Sequence, residues 1–156
     1  MSDHNKINVA VVGATGFTGL DLIWILSNHP KVKIHYLCAT KNLGKRISYF
    51  DKRIKKKLPK ISLVSKINWN KLDLVFLSLP NGEAQKLIKK IFFVNKNLKF
   101  IDLSADFRIS KVSTYEKNYK LKHKAKNLIN HCLYSIPELI NKKINNYRII
   151  SNPGCY

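Results

Sequence analysis

The stretch GATGFTG, Gly13–Gly19, follows the apolar run INVAVV, Ile7–Val12, and leads into TGLDLIWILSN, Thr18–Asn28. A continuous apolar run of this length is typical of a strand that is buried on both faces. In the segment after the glycines, Leu22, Ile25 and Leu26 are spaced as on one helix face. The chain therefore opens with a strand, a glycine turn and a helix, which is the start of a β-α-β unit.

The remaining chain continues this alternation of strands and helices. The pattern predicts strands at Val32–Cys38, Ile61–Val64, Asp73–Leu79, Lys99–Leu103 and Tyr147–Ser151, a helix at Glu83–Val94, and short helices within residues 110–145. Such an order favours parallel pairing with right-handed crossovers. We therefore expect a doubly wound, Rossmann-type, mostly parallel α/β sheet. Ligands of these sheets bind beyond the carboxyl ends of the strands, so we expect the turns discussed below to converge on one crevice.

The glycine spacing G-x-x-G-x-x-G is related to the fingerprint of dinucleotide-binding turns. Gly13 can form the tight turn, Gly16 can let a pyrophosphate approach the backbone, and Gly19 can permit close contact between helix and strand. The amides at the start of the helix favour phosphate charge. A plain strand-to-helix turn is the alternative, but the flanking strand and helix favour a dinucleotide site. The candidate cofactor-binding residues of this turn are Gly13, Ala14, Thr15, Gly16, Phe17, Thr18 and Gly19.

The end of the second predicted strand indicates which dinucleotide is preferred. Sheets that bind NAD place an Asp or Glu about 20 residues after the glycines, where it accepts hydrogen bonds from the ribose. The stretch LCATK, residues 37–41, contains no carboxylate there, whereas Thr40, Lys41 and Lys45 can donate to a 2′-phosphate. NADP(H) is therefore the predicted cofactor. Ordinary surface lysines remain a competing interpretation, above all for Lys45.

Two further turns follow predicted strands. Leu79 and Pro80 belong to the turn SLPNG, which suits a flat nicotinamide or its ribose and equally suits a simple turn. The stretch DLSADFR, residues 102–108, brings Ser104, Asp106 and Arg108 together. Arg108 can bind a carboxylate or phosphate with two parallel hydrogen bonds. Asp106 can orient Arg108 or the turn, and a local Asp–Arg pair that caps the loop is the alternative.

The closing stretch SNPGCY, Ser151–Tyr156, places Cys155 directly after an Asn-Pro-Gly turn. At the start of a helix such a thiol would have a lowered pKa and could attack an acyl carbon. Cys38 and Cys132 are interpreted as small apolar residues. With three widely spaced cysteines and no C-x-x-C, the sequence predicts neither a disulfide framework nor a zinc site, and it favours a reducing, cytoplasmic location.

The formal net charge of +20 is the strongest feature of the composition. The lysines are spread along the whole chain, so we interpret them mainly as solvated side chains and expect no specific nucleic-acid partner. A basic nucleic-acid-binding protein is the competing hypothesis, and it predicts binding with a steep salt dependence. The sequence shows neither 18 consecutive apolar residues nor a basic region before an apolar run, so we expect no membrane span and no signal peptide.

Four motifs in order, GATGFTG, DLSADFR, YSIPEL at 134–139 and NPGCY, resemble the N-acetyl-gamma-glutamyl-phosphate reductase family over essentially the whole chain. The resemblance implies NADPH-dependent reduction of N-acetyl-glutamyl 5-phosphate to N-acetylglutamate 5-semialdehyde through a thioester on Cys155. It also implies that Ser104, Asp106 and Arg108 line the site, and we add Asn152 as a fourth substrate-binding candidate. Lys41 stands where the family often has arginine, which keeps the charge without the planar fork.

The resemblance also implies a longer protein. Family members are about twice this length, in line with a second domain. We therefore expect an NADP-binding domain at residues 1–150 and, at 151–156, the start of a catalytic domain whose remainder is missing. The full-length enzyme would be a homo-oligomer that acts on a small acyl phosphate, and the 156 residues alone would not turn over. The alternatives are an N-acetyl-aminoadipyl-phosphate reductase of lysine biosynthesis and a non-catalytic NADP-binding remnant.

Overall fold

The computed structural model describes residues 6–139 and 144–154, and the chain divides into two compact units, Met1–Ser78 and Leu79–Tyr156. The first unit contains β1 (Ile7–Val12), α1 (Phe17–Asn28), β2 (Val32–Cys38), β3 (Ile61–Ser62) and β4 (Leu74–Leu77). The second contains α2 (Glu83–Ile91), β5 (Lys99–Asp102), α3 (Val112–Tyr119), β6 (Cys132–Tyr134) and β7 (Ile149–Ser151).

The strands of the first unit lie in the order β3-β2-β1-β4, and their pairings are parallel. Val12 pairs with Cys38 on one side and with Leu77 on the other, so β1, β2 and β4 end at the same level. Because β2 and β4 flank β1 from opposite sides, the strand order reverses at β1. Such a reversal creates a crevice at the carboxyl ends of the strands, where α/β sheets bind ligands.

The strands of the second unit lie in the order β5-β7-β6 and are also parallel. The last strand is therefore the central one of the three. Asp102 at the end of β5 pairs with Ser151 at the end of β7, and Ser151 pairs with Tyr134 at the end of β6. The predicted doubly wound, parallel α/β fold is confirmed.

The structure corrects the sequence prediction in two places. Helix α1 buries Gly19, Ile23, Leu26 and Ser27, whereas Ile25 is 54% exposed, so the predicted apolar face was partly wrong. Successive helical residues are about 100° apart, which turns Ile25 away from a stripe at 19, 23 and 26. The sequence analysis also missed β6, since three residues are too few to show a strand period.

Other differences concern where elements end. The predicted strand at Ile61–Val64 is two residues long and is followed by a 3-10 turn at Val64–Lys66, and α2 ends at Ile91 rather than Val94. None of the helices in the described ranges has the length and apolar character needed to cross a bilayer. The same ranges contain no group of three or more His, Cys, Asp or Glu arranged to hold a metal ion.

Candidate functional site

Gly13 directly follows β1 and has a backbone conformation that favours glycine, with a φ of +90°. A Cβ built on Gly13 would lie 1.8 Å from the carbonyl oxygen of Ser78 and 2.7 Å from its carbonyl carbon. The Ser78 N–H donates to the Val12 carbonyl oxygen at 2.8 Å, which fixes the end of β4 beside the end of β1. Packing within the first unit therefore explains why residue 13 is glycine.

The other two glycines of the turn differ from each other. A Cβ on Gly19 would lie 2.2 Å from the Gly13 carbonyl oxygen, so this glycine lets α1 approach the turn closely. A Cβ on Gly16 would meet its nearest neighbour, the Gly13 carbonyl oxygen, at 3.6 Å, an ordinary contact distance. Gly16 has a φ of −77°, which any residue adopts. Neither strain nor crowding in the described part of the first unit accounts for glycine at position 16.

The N-terminus of α1 is open to an anion. Gly16 is the N-cap, no side chain caps the helix, and its first turn contains no acidic residue. Gly16, Phe17 and Thr18 are exposed, and Phe17 has 94% of its surface free. The first amides of a helix have no partner within it and carry partial positive charge, so this end can bind a phosphate group.

The end of β2 lies against the same turn. The N–H groups of Gly13 and Ala14 both donate to the Cys38 carbonyl oxygen, at 2.9 and 3.0 Å. Thr40 and Lys41 follow Cys38 within three residues, and both are exposed. The Lys45 ammonium donates to the Asn42 side-chain oxygen at 3.1 Å. Residues 39–50 include no Asp or Glu, so this segment carries no negatively charged side chain.

In the second unit, Asp106 caps α2 from a different loop. One carboxylate oxygen accepts the N–H of Gly82 at 2.6 Å, and the other accepts the N–H of Gln85 at 3.0 Å. The Asn81 side-chain oxygen accepts the N–H of Ala105 at 3.2 Å. These hydrogen bonds join the turn that contains Leu79 and Pro80 to the DLSADFR loop. The Asp106 carboxylate therefore bonds to this turn, and it does not bond to Arg108.

Three side chains that the sequence analysis did not single out surround Asp106. The Tyr115 hydroxyl donates to the Asp106 carboxylate at 2.8 Å and accepts from the Gln85 amide at 3.0 Å. The His123 Nε2 bonds to the Asp106 carbonyl oxygen at 2.8 Å. Burial is the main cause of a raised pKa at Tyr115, and the hydrogen bond to the Asp106 carboxylate raises this pKa further. Gln85, a glutamine on the buried face of α2, is the sequence feature that could have indicated this buried polar cluster.

Ser104 and Asp102 lie in the interior of the second unit. The Ser104 N–H donates to one Asp102 oxygen at 2.9 Å, and the Ser104 hydroxyl accepts the Asp106 N–H at 3.2 Å. The other carboxylate oxygen of Asp102 is buried and has no hydrogen-bond partner among the described residues. Burial raises the pKa of Asp102 to about 6.

We expect Asp102→Asn to stabilise the protein at alkaline but not at acidic pH. The folded-state pKa lies above the ordinary value of 3.8, so Asp102 favours folding when protonated, and this contribution is lost as pH rises through about 6. Asparagine stays uncharged and keeps the acceptor for Ser104. The gain should be about 1–3 kcal/mol in the free energy of unfolding at pH 8, by denaturant titration. The exposed Glu138→Gln serves as control, and an equal gain at pH 4 would contradict the prediction.

Arg108 joins the loop after β5 to the loop after β7. Its Nε donates to the Asn152 carbonyl oxygen at 2.8 Å, and Nη2 donates to the Leu103 carbonyl oxygen at 3.0 Å. The Asn152 N–H donates in turn to the Asp102 carbonyl oxygen at 2.9 Å. Arg108 and Asn152 are thus brought together in the second unit, whereas the side chains of Ser104 and Asp106 point into its interior.

The three cysteines differ in what the structure shows. Burial raises the pKa of Cys38, and it raises the pKa of Cys132 to about 12, helped by the negative charge of Asp102. Thiols with raised pKa values are poor nucleophiles near neutral pH. Cys155, the predicted nucleophile, lies outside the described residues.

Comparison with known proteins gives a consistent family. Residues 8–147 match the model of the semialdehyde dehydrogenase NAD-binding domain. A protein named N-acetyl-gamma-glutamyl-phosphate reductase from Ehrlichia ruminantium (strain Gardel) is 42% identical over 97% of this chain and 43% of its own length. The same-named protein of Nitrosomonas eutropha is 38% identical over 96% of this chain and 44% of its own length. The chain thus spans less than half the length of these relatives.

Solved structures agree on the fold. Aspartate semialdehyde dehydrogenase II from Vibrio cholerae, complexed with ASA, superposes with a TM-score of 0.62 at 19% identity, covering 96% of this chain and 42% of that one. Aspartate semialdehyde dehydrogenase with NADP from Candida albicans gives a TM-score of 0.52 at 27% identity, covering 69% of this chain and 32% of that one. The chain therefore belongs to the semialdehyde dehydrogenase NAD-binding domain family, and it is similar to proteins named N-acetyl-gamma-glutamyl-phosphate reductase.

Proposed function

We propose that this chain binds NADP(H) for the reduction of N-acetyl-glutamyl 5-phosphate to N-acetylglutamate 5-semialdehyde. The relatives named N-acetyl-gamma-glutamyl-phosphate reductase support the reaction, and the family description supports the dinucleotide. The observation that carries the proposal is Gly16. Of the three glycines in the turn, it alone has room for a Cβ. A ligand that contacts the backbone directly, as a pyrophosphate does, supplies the missing reason for glycine.

The residues of the first unit divide the binding of NADP(H) between them. The amides of Phe17 and Thr18 in the first turn of α1 would hold the pyrophosphate, and Thr40 and Lys41 would donate to the 2′-phosphate. We propose that Leu79 and Pro80 in the second unit serve the nicotinamide or its ribose. The NADP complex of the Candida albicans relative supports this choice of cofactor. The absence of a carboxylate from residues 39–50 supports it independently, because a carboxylate would repel the 2′-phosphate.

Cys155 is the proposed nucleophile. Its thiolate would attack the acyl carbon of the acyl phosphate, and the C–O bond to phosphate would break. Inorganic phosphate would depart, and a thioester on Cys155 would remain. NADPH, when bound, supplies the hydride that reduces this thioester. Cys38 and Cys132 are poor candidates because burial disfavours their thiolates. Among the other proposed site residues, Asn152 lies in the turn that leads to Cys155 and Arg108 donates to its carbonyl oxygen, while Ser104 and Asp106 belong to the loop after β5 that contains Arg108.

We expect Gly16→Ala to weaken NADPH binding without unfolding the chain. The added Cβ fits the turn but would occupy the place of a ligand close to the backbone. The dissociation constant for NADPH, measured by fluorescence titration, should rise about tenfold or more. The free energy of unfolding should change by less than about 1 kcal/mol. Equal binding by both proteins would remove the main support for the proposal, and Asn28→Ala, at the exposed C-terminal end of α1, is the control.

Lys41→Glu should reverse the preference for NADPH over NADH. A glutamate there would repel the 2′-phosphate and could accept hydrogen bonds from the ribose of NADH. We expect NADPH affinity to fall by about tenfold to a hundredfold while NADH affinity holds or rises. Titration of both cofactors against Lys33→Glu, an exposed lysine on β2, controls for the loss of net charge. An unchanged preference would overturn the assignment of NADP.

We propose that catalysis requires more chain than these 156 residues. The relatives from Ehrlichia ruminantium and Nitrosomonas eutropha extend well beyond the matched region, and in the second unit His123 bonds to the Asp106 carbonyl oxygen while His131 packs against Phe92. The chain alone is expected to bind NADPH without reducing NADP in the presence of N-acetylglutamate semialdehyde and phosphate. We also propose that the whole enzyme is cytoplasmic and forms a homo-oligomer. Turnover by the chain alone would contradict this part of it and leave cofactor binding intact.

A further inference from the structure

The guanidinium of Arg108 is held by two backbone carbonyls from two segments of the second unit. One hydrogen bond reaches Asn152 after β7 and the other reaches Leu103 after β5, at 2.8 and 3.0 Å. The two strands are paired, with Asp102 level with Ser151. Two bonds from one planar group fix its orientation, which a lysine could not reproduce. Arg108 therefore connects the ends of two neighbouring strands and is itself fixed in place.

The remaining nitrogen of Arg108 lies against Gly154. A Cβ built on Gly154 would lie 2.6 Å from Nη1 and 3.3 Å from Cζ. The glycines with positive φ in the described ranges are Gly13, Gly44 and Gly82, so backbone conformation does not require glycine at 154. The guanidinium supplies the reason instead, because it occupies the space of a side chain. The contact also brings the positive charge to the residue that precedes Cys155.

We propose that Arg108 is a positioning residue for the turn that leads to Cys155: its planar fork joins the Asn152 carbonyl to the Leu103 carbonyl, and its cationic group lies against Gly154, the residue before Cys155. The inference rests on the proposed function, in which Cys155 is the nucleophile. A nearby guanidinium favours a thiolate over a thiol. Arg108 thereby has two separable duties, a geometric one through its fork and an electrostatic one through its charge.

Two variants separate these duties in the 156-residue chain. Arg108→Gln removes the charge, and Arg108→Lys keeps the charge but loses the planar fork. The first readout is iodoacetamide alkylation of Cys155 by mass spectrometry between about pH 6 and about pH 10, with the slowly reacting Cys38 and Cys132 as internal references. The second is hydrogen exchange of the Asn152 amide, which bonds to Asp102 at 2.9 Å.

For Arg108→Gln we expect the midpoint of the alkylation profile to rise by about 0.5–1 pH unit and exchange at Asn152 to quicken about tenfold. Arg108→Lys should quicken exchange similarly while the midpoint stays near that of the unmodified chain. Gly154→Ala, whose methyl group displaces the guanidinium at an exposed position, should resemble Arg108→Gln in both readouts even if the Arg108 variants fold poorly.

An unchanged midpoint in Arg108→Gln and in Gly154→Ala would overturn the inference, as would unchanged exchange at Asn152 in both. NADPH titration of each variant keeps this outcome apart from a failure of the proposed function. Arg108 lies in the second unit and outside the glycine turn, so NADPH binding should persist in its variants. Absence of NADPH binding in the unmodified chain would count against the proposed function, while the effects on exchange and alkylation would still decide the role of Arg108.

Discussion

Gly13→Ala should unfold the first unit under conditions in which the unmodified chain is folded. The new Cβ would lie 1.8 Å from a backbone oxygen and 2.7 Å from a backbone carbon of Ser78, and neither atom can move without displacing the end of β4. The φ of +90° adds strain for any residue with a side chain. We expect a loss of about 4 kcal/mol or more in the free energy of unfolding, a large part of the stability of an ordinary domain.

Gly44→Ala is the matched control for this prediction. Gly44 has a φ of +78°, close to that of Gly13, but a Cβ there would have no neighbour within 4 Å. Gly44→Ala therefore introduces the backbone strain of a positive φ without a steric clash. We expect it to lose about 1–2 kcal/mol in the free energy of unfolding. Urea titrations followed by circular dichroism compare the two variants. Similar losses in both would show that the contact with Ser78 is not what requires glycine at residue 13.

The three glycines of the turn show how far a sequence pattern reaches. Their spacing predicted a tight turn between a strand and a helix, and the structure has that turn between β1 and α1. The pattern could not show that close packing requires glycine at positions 13 and 19, whereas position 16 has room for a Cβ. For Gly13 the reason lies in atoms of Ser78, which is 65 residues further along the chain by its number. A long-range contact of this kind leaves no local signal.

The DLSADFR stretch shows the same limit from the side of chemistry. Its strand and its polar loop were predicted correctly, but Asp106 bonds to the turn at the start of α2, a partner that the sequence did not indicate. The pairing of Asp106 with Arg108 was the alternative, but their bonds go to different partners. Charged residues two positions apart suggest an ion pair only when the backbone directs both to the same side. Here Asp106 faces α2 and Arg108 faces the end of β7.

Asp106→Ala should destabilise the second unit almost as strongly as Gly13→Ala affects the first. The carboxylate is fully buried and accepts the amides of Gly82 and Gln85 and the hydroxyl of Tyr115. Its removal would leave these three donors without their acceptor in the interior. An unsatisfied buried group costs about 1–3 kcal/mol, so we expect a loss of about 3–5 kcal/mol in the free energy of unfolding.

Asp106→Asn and Tyr115→Phe identify the cause of that loss. Asparagine keeps one acceptor but sets an N–H₂ group against a donor, so an intermediate loss is expected. Tyr115→Phe removes one of the three donors and should lose about 1–2 kcal/mol. Because Asp106 raises the pKa of Tyr115, Asp106→Asn should also let the tyrosinate form at lower pH, which ultraviolet titration detects. If the double variant Asp106→Ala/Tyr115→Phe loses the full sum of the two single losses, the side chains are not coupled and the hydrogen bond between them contributes nothing.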